Sequence, residues 1–351
     1  MNKCCVKCVN DKKIKHISFD NNGVCSFCNS YDNYLNKTKS MDLKALFLDK
    51  LGEGSYDYDC AVGFSGGKDS TYVLYKLVKE YKLNVIAYTL DNGFLSSEAK
   101  DKIDRIVKEL GVKHEYVICD MDLLKKTYKH IVSKFLSPCI ACSFLGYAVM
   151  INYASKVNAR VGVHGRSPYQ MFRNYNEDFD DVFKPFIDAG LKKDVNLDEL
   201  YNNVIKMIDK LVDKKLAYRI KNELLGDAYK YGFRDFISYF LYHDYNKNEI
   251  IEFLEANTSW KLESEEEHFD CLIHNGALYL KDLIARRSHL MPEYSVMIRD
   301  KIITKEMAYK LMEKRIDKDV AKKEIKMLCK YAKINYCLLM IKAKIYSLRW
   351  W

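Results

Sequence analysis

The chain has 351 residues, 48% of them apolar, enough for two domains with filled cores plus a small appendage. Its formal net charge is +9, but eight Lys or Arg against one Glu fall between Val320 and Trp351, so the body is almost neutral and not globally built for nucleic acid. Neither an apolar segment long enough to span a bilayer nor a charged-then-apolar leader is read from the sequence, which points to the cytoplasm.

In such a chain the twelve cysteines are expected to hold metal rather than form disulfides. The pairs Cys5-x-x-Cys8 and Cys25-x-x-Cys28 flank what reads as a short hairpin around Phe19–Val24, the spacing of a tetrahedral zinc ribbon over residues 1–35. Cys4 is then spare. A segment this short cannot build a core, so bound Zn2+ would supply its folding energy. Reduced, unliganded cysteines are the alternative.

A linker helix is predicted around Met41–Leu48, closing on Gly52-Glu-Gly54. After it, Ala61-Val-Gly-Phe-Ser65-Gly66-Gly67-Lys68-Asp69-Ser70 reads as strand, glycine turn and helix start. That geometry makes an anion site. The glycines let the backbone approach a phosphate, free N–H groups of the helix start point at it, and Lys68 and Ser70 add charge and a hydroxyl. G-x-x-x-x-G-K-[ST] does not fit, because Gly63 and Gly67 are one residue too close and Asp69 stands where Ser or Thr would hold magnesium.

The Ser65–Ser70 run resembles the PP-loop of the ATP pyrophosphatases (adenine nucleotide alpha hydrolase-like). The resemblance implies binding of ATP with Mg2+, cleavage between the α- and β-phosphates, and adenylation of a substrate carbonyl oxygen. The N-terminal ribbon and the PP-loop together look like the N-acetyl sugar amidotransferase group, which implies ammonia from a glutaminase partner and an amidino sugar product for surface polysaccharide or flagellin.

Strands are expected at Asn84–Leu90, closing on Asp91-Asn92-Gly93, and at His114–Cys119. A helix from Ser96 to about Leu110, with Ala99, Ile103, Ile106, Val107 and Leu110 on one face, lies between them. This alternation predicts a doubly wound parallel α/β sheet over 36–190, with ligands at the strands' carboxyl ends. Asp91 and Asn92 would lie on that rim, near where PP-loop proteins hold adenine, or they form a plain turn. Cys60 and Cys119 read as small buried hydrophobes.

Ser137-Pro-Cys139-Ile-Ala-Cys142 opens a helix reaching Lys156, followed by a strand Ala159–His164 and then Gly165-Arg166. A C-x-x-C at a helix start is expected to have depressed thiol pKa values and to suit metal ligation or sulfur chemistry. Cys271, flanked by polar residues, is a third candidate ligand. Arg166, Arg173 and Lys184 follow the strand and could clamp an α-phosphate or an anionic substrate, Arg166 beside Gly165 being the first candidate; solvated loop charges are the ordinary alternative. The middle section resembles the sulfur-inserting PP-loop enzymes that thiolate tRNA bases, in its Pro-Cys-x-x-Cys, its later cysteine and its Lys184-Pro185-Phe186. That resemblance implies a [4Fe-4S] cluster on Cys139, Cys142 and Cys271 with one open iron. A catalytic dithiol is the other reading, and Gly165-Arg166 departs from the Gly-His usual in that group.

Residues 191–318 are expected to be helical: Leu197–Leu211, Ala217–Leu225, Phe233–Tyr242, Lys247–Leu254, Leu278–Arg286 and Lys305–Met312. Glu265, Glu266, Glu267 and His268 read as a solvated face. The basic tail, 319–351, with Cys329 and Cys337, suits docking onto the protein's own core or an interfacial helix. The whole predicts a PP-loop enzyme that adenylates a small-molecule or amide substrate and replaces its oxygen with sulfur from a sulfur donor, tRNA being a less favoured acceptor and a homodimer the expected assembly.

Overall fold

The computed structural model describes residues 4–12, 14, 17–38, 41–51, 54–167, 197–262, 270–285, 288, 290–313 and 316–348. Five parallel strands, β1 (Tyr58–Gly63), β2 (Val85–Asp91), β3 (Lys113–Ile118), β4 (Ala159–His164) and β5 (Asp235–Ser238), form one sheet in the order β3-β2-β1-β4-β5. This is the doubly wound α/β fold the sequence predicts. Strands β1, β2 and β4 are almost continuously apolar because helices cover both faces. The winding direction reverses between β1 and β4, and the crevice outside that pair is where such sheets bind ligands.

The described helices are α1 (Ser26–Thr38), α2 (Leu43–Leu51), α3 (Lys68–Tyr75), α4 (Ser97–Leu110), α5 (Met121–Phe135), α6 (Pro138–Lys156), α7 (Leu197–Leu211), α8 (Lys214–Tyr231), α9 (Lys247–Asn257), α10 (His274–Ala285), α11 (Met291–Arg299), α12 (Lys305–Glu313), α13 (Lys318–Ala332) and α14 (Tyr336–Leu348). One apolar cluster joins α5, α6, α7 and α8 to one face of the sheet, and another joins α2, α3, α4 and α9 to the other. Helix α4 buries the face named from sequence, and the Ser96 hydroxyl accepts its Ala99 N–H at 3.0 Å. Helix α5 is not among the sequence expectations. Asp120 caps it, accepting the Leu123 N–H at 2.8 Å, and Leu124, Tyr128 and Ile131 line its buried side.

Two expectations are corrected. The stretch Phe233–Tyr242 is not a helix: Asp235–Ser238 is the edge strand beside β4, continued by a 3-10 turn over Tyr239–Leu241. Its apolar run is too short for its period to separate strand from helix, and pairing with β4 decides. Second, α6 is long and apolar enough to cross a bilayer by length and composition, contrary to the sequence reading, but most of it is buried inside the protein. Its apolarity is met by packing against β4, α5 and α8.

The basic tail folds back as α13 and α14 against α10, burying Ile325, Leu328, Leu339 and Ala343 in the main core. Phe236→Ala should lower stability by about 3 kcal/mol, since it empties a packed core position. A urea midpoint unchanged from the parent would show that 235–238 does not close the sheet.

Candidate functional site

The bend between β1 and α3 turns at Gly66, whose φ is +75° and where a Cβ would stand 2.9 Å from Ile103 Cγ1. Only glycine fits both demands. Inside the bend the Ser70 hydroxyl accepts the Ser65 N–H at 3.2 Å and donates to the Gly67 carbonyl at 3.1 Å, while the Gly67 N–H reaches Ser65 Oγ at 3.4 Å. The serines thus shape the loop from within. Lys68 pairs with Asp69 at 3.1 Å, their side chains only 12% and 13% exposed. N–H groups at a helix start, a lysine and a carboxylate give the loop the parts to hold polyphosphate and a divalent cation.

Gly165 and Arg166 follow β4, across the switch point from the loop. A Cβ on Gly165 would lie 3.0 Å from the Asp69 carbonyl oxygen, so this position keeps the β4 exit close against the loop helix. The Arg166 guanidinium lies over the Tyr147 ring at 4.9 Å and donates to its hydroxyl. The Arg166 N–H donates to His164 Nδ1 at 3.2 Å. Burial, and then the nearby Arg166 charge, push His164 down to about 3, so this imidazole is a neutral acceptor.

Asp91 ends β2 on the same rim. Its carboxylate accepts the Gly93 N–H at 2.9 Å and pairs with Lys100 at 2.8 Å, the geometry of a side-chain-stabilised turn. The next residue, Asn92, reaches the second cysteine pair. Asn92 Nδ2 lies 3.5 Å from Cys142 Sγ, the Tyr128 hydroxyl lies 2.8 Å from the same sulfur, and that hydroxyl donates to the Asn92 carbonyl at 3.2 Å. Cys271 arrives from the other side: the Leu272 N–H donates to the Phe94 carbonyl at 2.8 Å and the Ser96 N–H to the Asp270 carbonyl at 3.0 Å. Cys139, at the exposed start of α6, completes the group.

The expected depression of the thiol pKa is corrected for Cys142. Burial, and then the charge of Cys139, push it up to about 12 despite the helix start. Cys271 is likewise pushed up to about 12, chiefly by burial. Desolvation outweighs the partial charge of the helix terminus, so these thiols stay protonated unless a metal's positive charge holds them as thiolates. Among the described residues, the ribbon cysteines are the group of three or more metal-ligating side chains whose ligand atoms all lie within 4.8 Å of one another. Cys139, Cys142 and Cys271 offer three thiols, the donor type that iron–sulfur groups take. Cys60 and Cys119 are buried, as expected. Arg173, Lys184, Lys184-Pro185-Phe186, Glu265, Glu266, Glu267, His268 and Arg286 lie outside the described residues.

In the ribbon, Cys5 Sγ is 3.8 Å from Cys28 Sγ and Cys8 Sγ is 3.7 Å from Cys25 Sγ. A tetrahedron with Zn–S bonds of about 2.3 Å has edges of about 3.8 Å, so these thiols fit zinc without rearrangement. Cys4 is exposed and stands apart. Arg299, which the sequence reading missed, donates from Nε to Cys28 Sγ at 3.1 Å, and its second contact is Cys8 at 3.9 Å. Burial opposes its charge, but the Cys28 and Cys8 thiolates outweigh burial and raise its pKa. Four thiolates around a divalent ion leave net negative charge, and this arginine offsets part of it. No local sequence signal marks Arg299, because only tertiary packing brings α11 to the ribbon. Tyr128 was traceable through its helical spacing on α5.

Elemental analysis should find about one zinc per chain, lost in Cys8→Ser; a folded protein whose four ribbon thiols alkylate freely would refute the site. In metal-free protein Cys139 should alkylate readily, while the Cys142 rate should keep climbing about tenfold per pH unit up to about pH 11, because its thiol is raised to about 12. Burial of protonated Cys142 and Cys271 also contributes stability that is present below the ordinary thiol value and lost as pH rises toward about 12. A Cys142 rate that levels off near pH 8 would contradict the enclosed-thiol geometry.

No family model matches the chain. Among curated proteins it is similar to two uncharacterized proteins of Methanocaldococcus jannaschii. One is 29% identical over 150 residues, 41% of this chain and 51% of the relative, and the other is 28% identical over 151 residues, 42% and 55%. The chain thus spans about half the length of the curated relatives it matches. Solved structures similar to it include the U34-tRNA thiolase NcsA from Methanococcus maripaludis with its [4Fe-4S] cluster, at 18% identity and TM-score 0.37 over 90% of each chain. Others are an NH3-dependent NAD synthetase from Campylobacter jejuni, at 16% and 0.27 over 58% of this chain and 93% of that one, and a predicted subunit of tRNA methyltransferase from Methanocaldococcus jannaschii, at 12% and 0.27 over 59% and 93%. At these scores the fold assignment rests on the chain's own sheet order, and the PP-loop resemblance on Ser65–Ser70 at the end of β1.

Proposed function

We propose that the protein is an ATP-dependent enzyme that forms AMP and pyrophosphate while replacing a carbonyl or amide oxygen of its substrate with sulfur. The observation that carries this reading is the shared rim: the phosphate-type loop after β1 and the cysteine group around Asn92 both stand at the carboxyl ends of the parallel strands. Ser65, Gly66, Gly67, Lys68 and Ser70 bind the phosphates, Asp69 holds the accompanying Mg2+, and Arg166 turns from Tyr147 toward the α-phosphate.

The substrate oxygen attacks the α-phosphorus, the bond to the bridging oxygen breaks, and pyrophosphate leaves. A sulfide equivalent from a sulfur donor then adds to the activated carbon. The carbon–oxygen bond breaks, AMP departs with the original oxygen, and a thiocarbonyl or thioamide remains. Neutralising charge on the phosphates and holding the reactants together supply most of the acceleration. A [4Fe-4S] cluster on Cys139, Cys142 and Cys271, when bound, would supply an iron open to sulfide. The chain's own part is to enclose Cys142 beneath Tyr128 and Asn92 and keep water from the activated carbon.

A second reading keeps the adenylation and uses ammonia from a glutaminase to make an amidino sugar. The four-thiol ribbon favours it, through its likeness to the sugar amidotransferases. Anaerobically purified protein separates the two: a brown colour that bleaches in air supports sulfur insertion, whereas a colourless zinc protein that turns over only with a glutaminase supports amidination. With a competent acceptor, MgATP should yield AMP and pyrophosphate, and Lys68→Ala should slow this by about a hundredfold or more. Release of ADP instead of AMP would overturn both readings.

A further inference from the structure

We infer that Trp260 is a positioning residue for the nucleotide's phosphates: its indole N–H holds the Gly66–Gly67 peptide so that the Gly67 N–H faces the loop's interior. The inference rests on the nucleotide reading above and adds a residue that no motif contains. Trp260 is only 3% exposed, and its Nε1–H donates to the Gly66 carbonyl at 3.1 Å from 194 residues away in sequence.

The loop needs such a lock. A peptide flanked by two glycines can rotate as a unit at little steric cost, because both residues tolerate either sign of φ. In a trans peptide the C=O and the following N–H point to opposite sides. One orientation offers the Gly67 N–H to an anion; the flipped one offers the Gly66 oxygen and repels it. With the carbonyl held by Trp260, the Gly67 N–H lies on the cradle side, where it donates to Ser65 Oγ at 3.4 Å. That bond is long enough for a phosphate oxygen to take over.

The indole is itself rigidly mounted. The Trp260 backbone N–H donates to Thr258 Oγ1 at 3.1 Å, and the neighbouring Ser259 backbone N–H donates to both Glu109 carboxylate oxygens at 3.0 Å, tying the segment after α9 to the end of α4. Helix α9 packs on α3, the helix that the loop begins. The lock is therefore anchored to elements on either side of the loop.

The test measures binding of ATP, inorganic pyrophosphate and adenosine by calorimetry to the parent, to Trp260→Phe, and to protein carrying 3-benzothienylalanine at position 260. The last keeps the bicyclic shape and removes only the N–H donor. Both changes are expected to weaken ATP and pyrophosphate by about fivefold to tenfold, the scale of one neutral hydrogen bond, with adenosine unchanged. Equal ATP and pyrophosphate binding by folded benzothienyl protein would overturn the role, as would an equal loss for adenosine, which marks general loosening. Should the parent bind neither ATP nor pyrophosphate, the nucleotide reading itself fails and this role falls with it.

Discussion

A left-handed turn at Gly66, wedged against Ile103 and held at its carbonyl by Trp260, is the constraint on which the rim of this sheet depends. It lets β1 end and α3 begin within a few residues, so the helix's unpaired N–H groups emerge beside the switch point. The same turn presses α3 close to the exit of β4, where the Gly165 backbone approaches Asp69. A larger residue at either position would separate the two halves of the crevice. The serines inside the bend bond to one another and to its backbone, which fixes the shape of the loop.

The cysteine group depends on a different balance. Tyr128 and Asn92 reach one sulfur from two elements, and the Cys271 segment is stitched to the loop after β2 by backbone hydrogen bonds. The tail helix α13 completes this enclosure: the Tyr331 ring packs on Phe94 at 4.8 Å, and Glu324 accepts the Gly276 N–H at 2.7 Å just past Cys271. Burial of this kind keeps thiols neutral, so they would become ligands only where a metal supplied the opposing charge. Helix α13 thus contributes packing beside the site.

The ribbon follows the same logic at larger separation in sequence. Its few apolar residues cannot form a core, and Val9 and Ile14 instead pack with Met291 and Ala308. The Ser295 hydroxyl donates to Asn10 Oδ1 at 2.8 Å, Lys305 donates to the Cys5 carbonyl at 2.6 Å, and Arg299 meets the sulfurs directly. Helices α11 and α12 thus supply packing that the ribbon lacks by itself.

By itself the sequence determined what depends on neighbours along the chain: the glycine turn and its helix start, the buried face of α4, the strand Ala159–His164 and the doubled C-x-x-C of the ribbon. These follow from φ requirements, hydrophobic period and ligand spacing, all encoded within a few residues. Tertiary structure alone decided that Asp235–Ser238 is a strand, because a run of four residues has no period of its own and takes its state from β4. It alone raised the Cys142 thiol rather than lowering it, because desolvation is a property of everything packed around a group. Arg299 on the ribbon and Trp260 on the glycine turn came from the same source, since contacts between residues hundreds of positions apart are set by packing and leave no local mark in the chain.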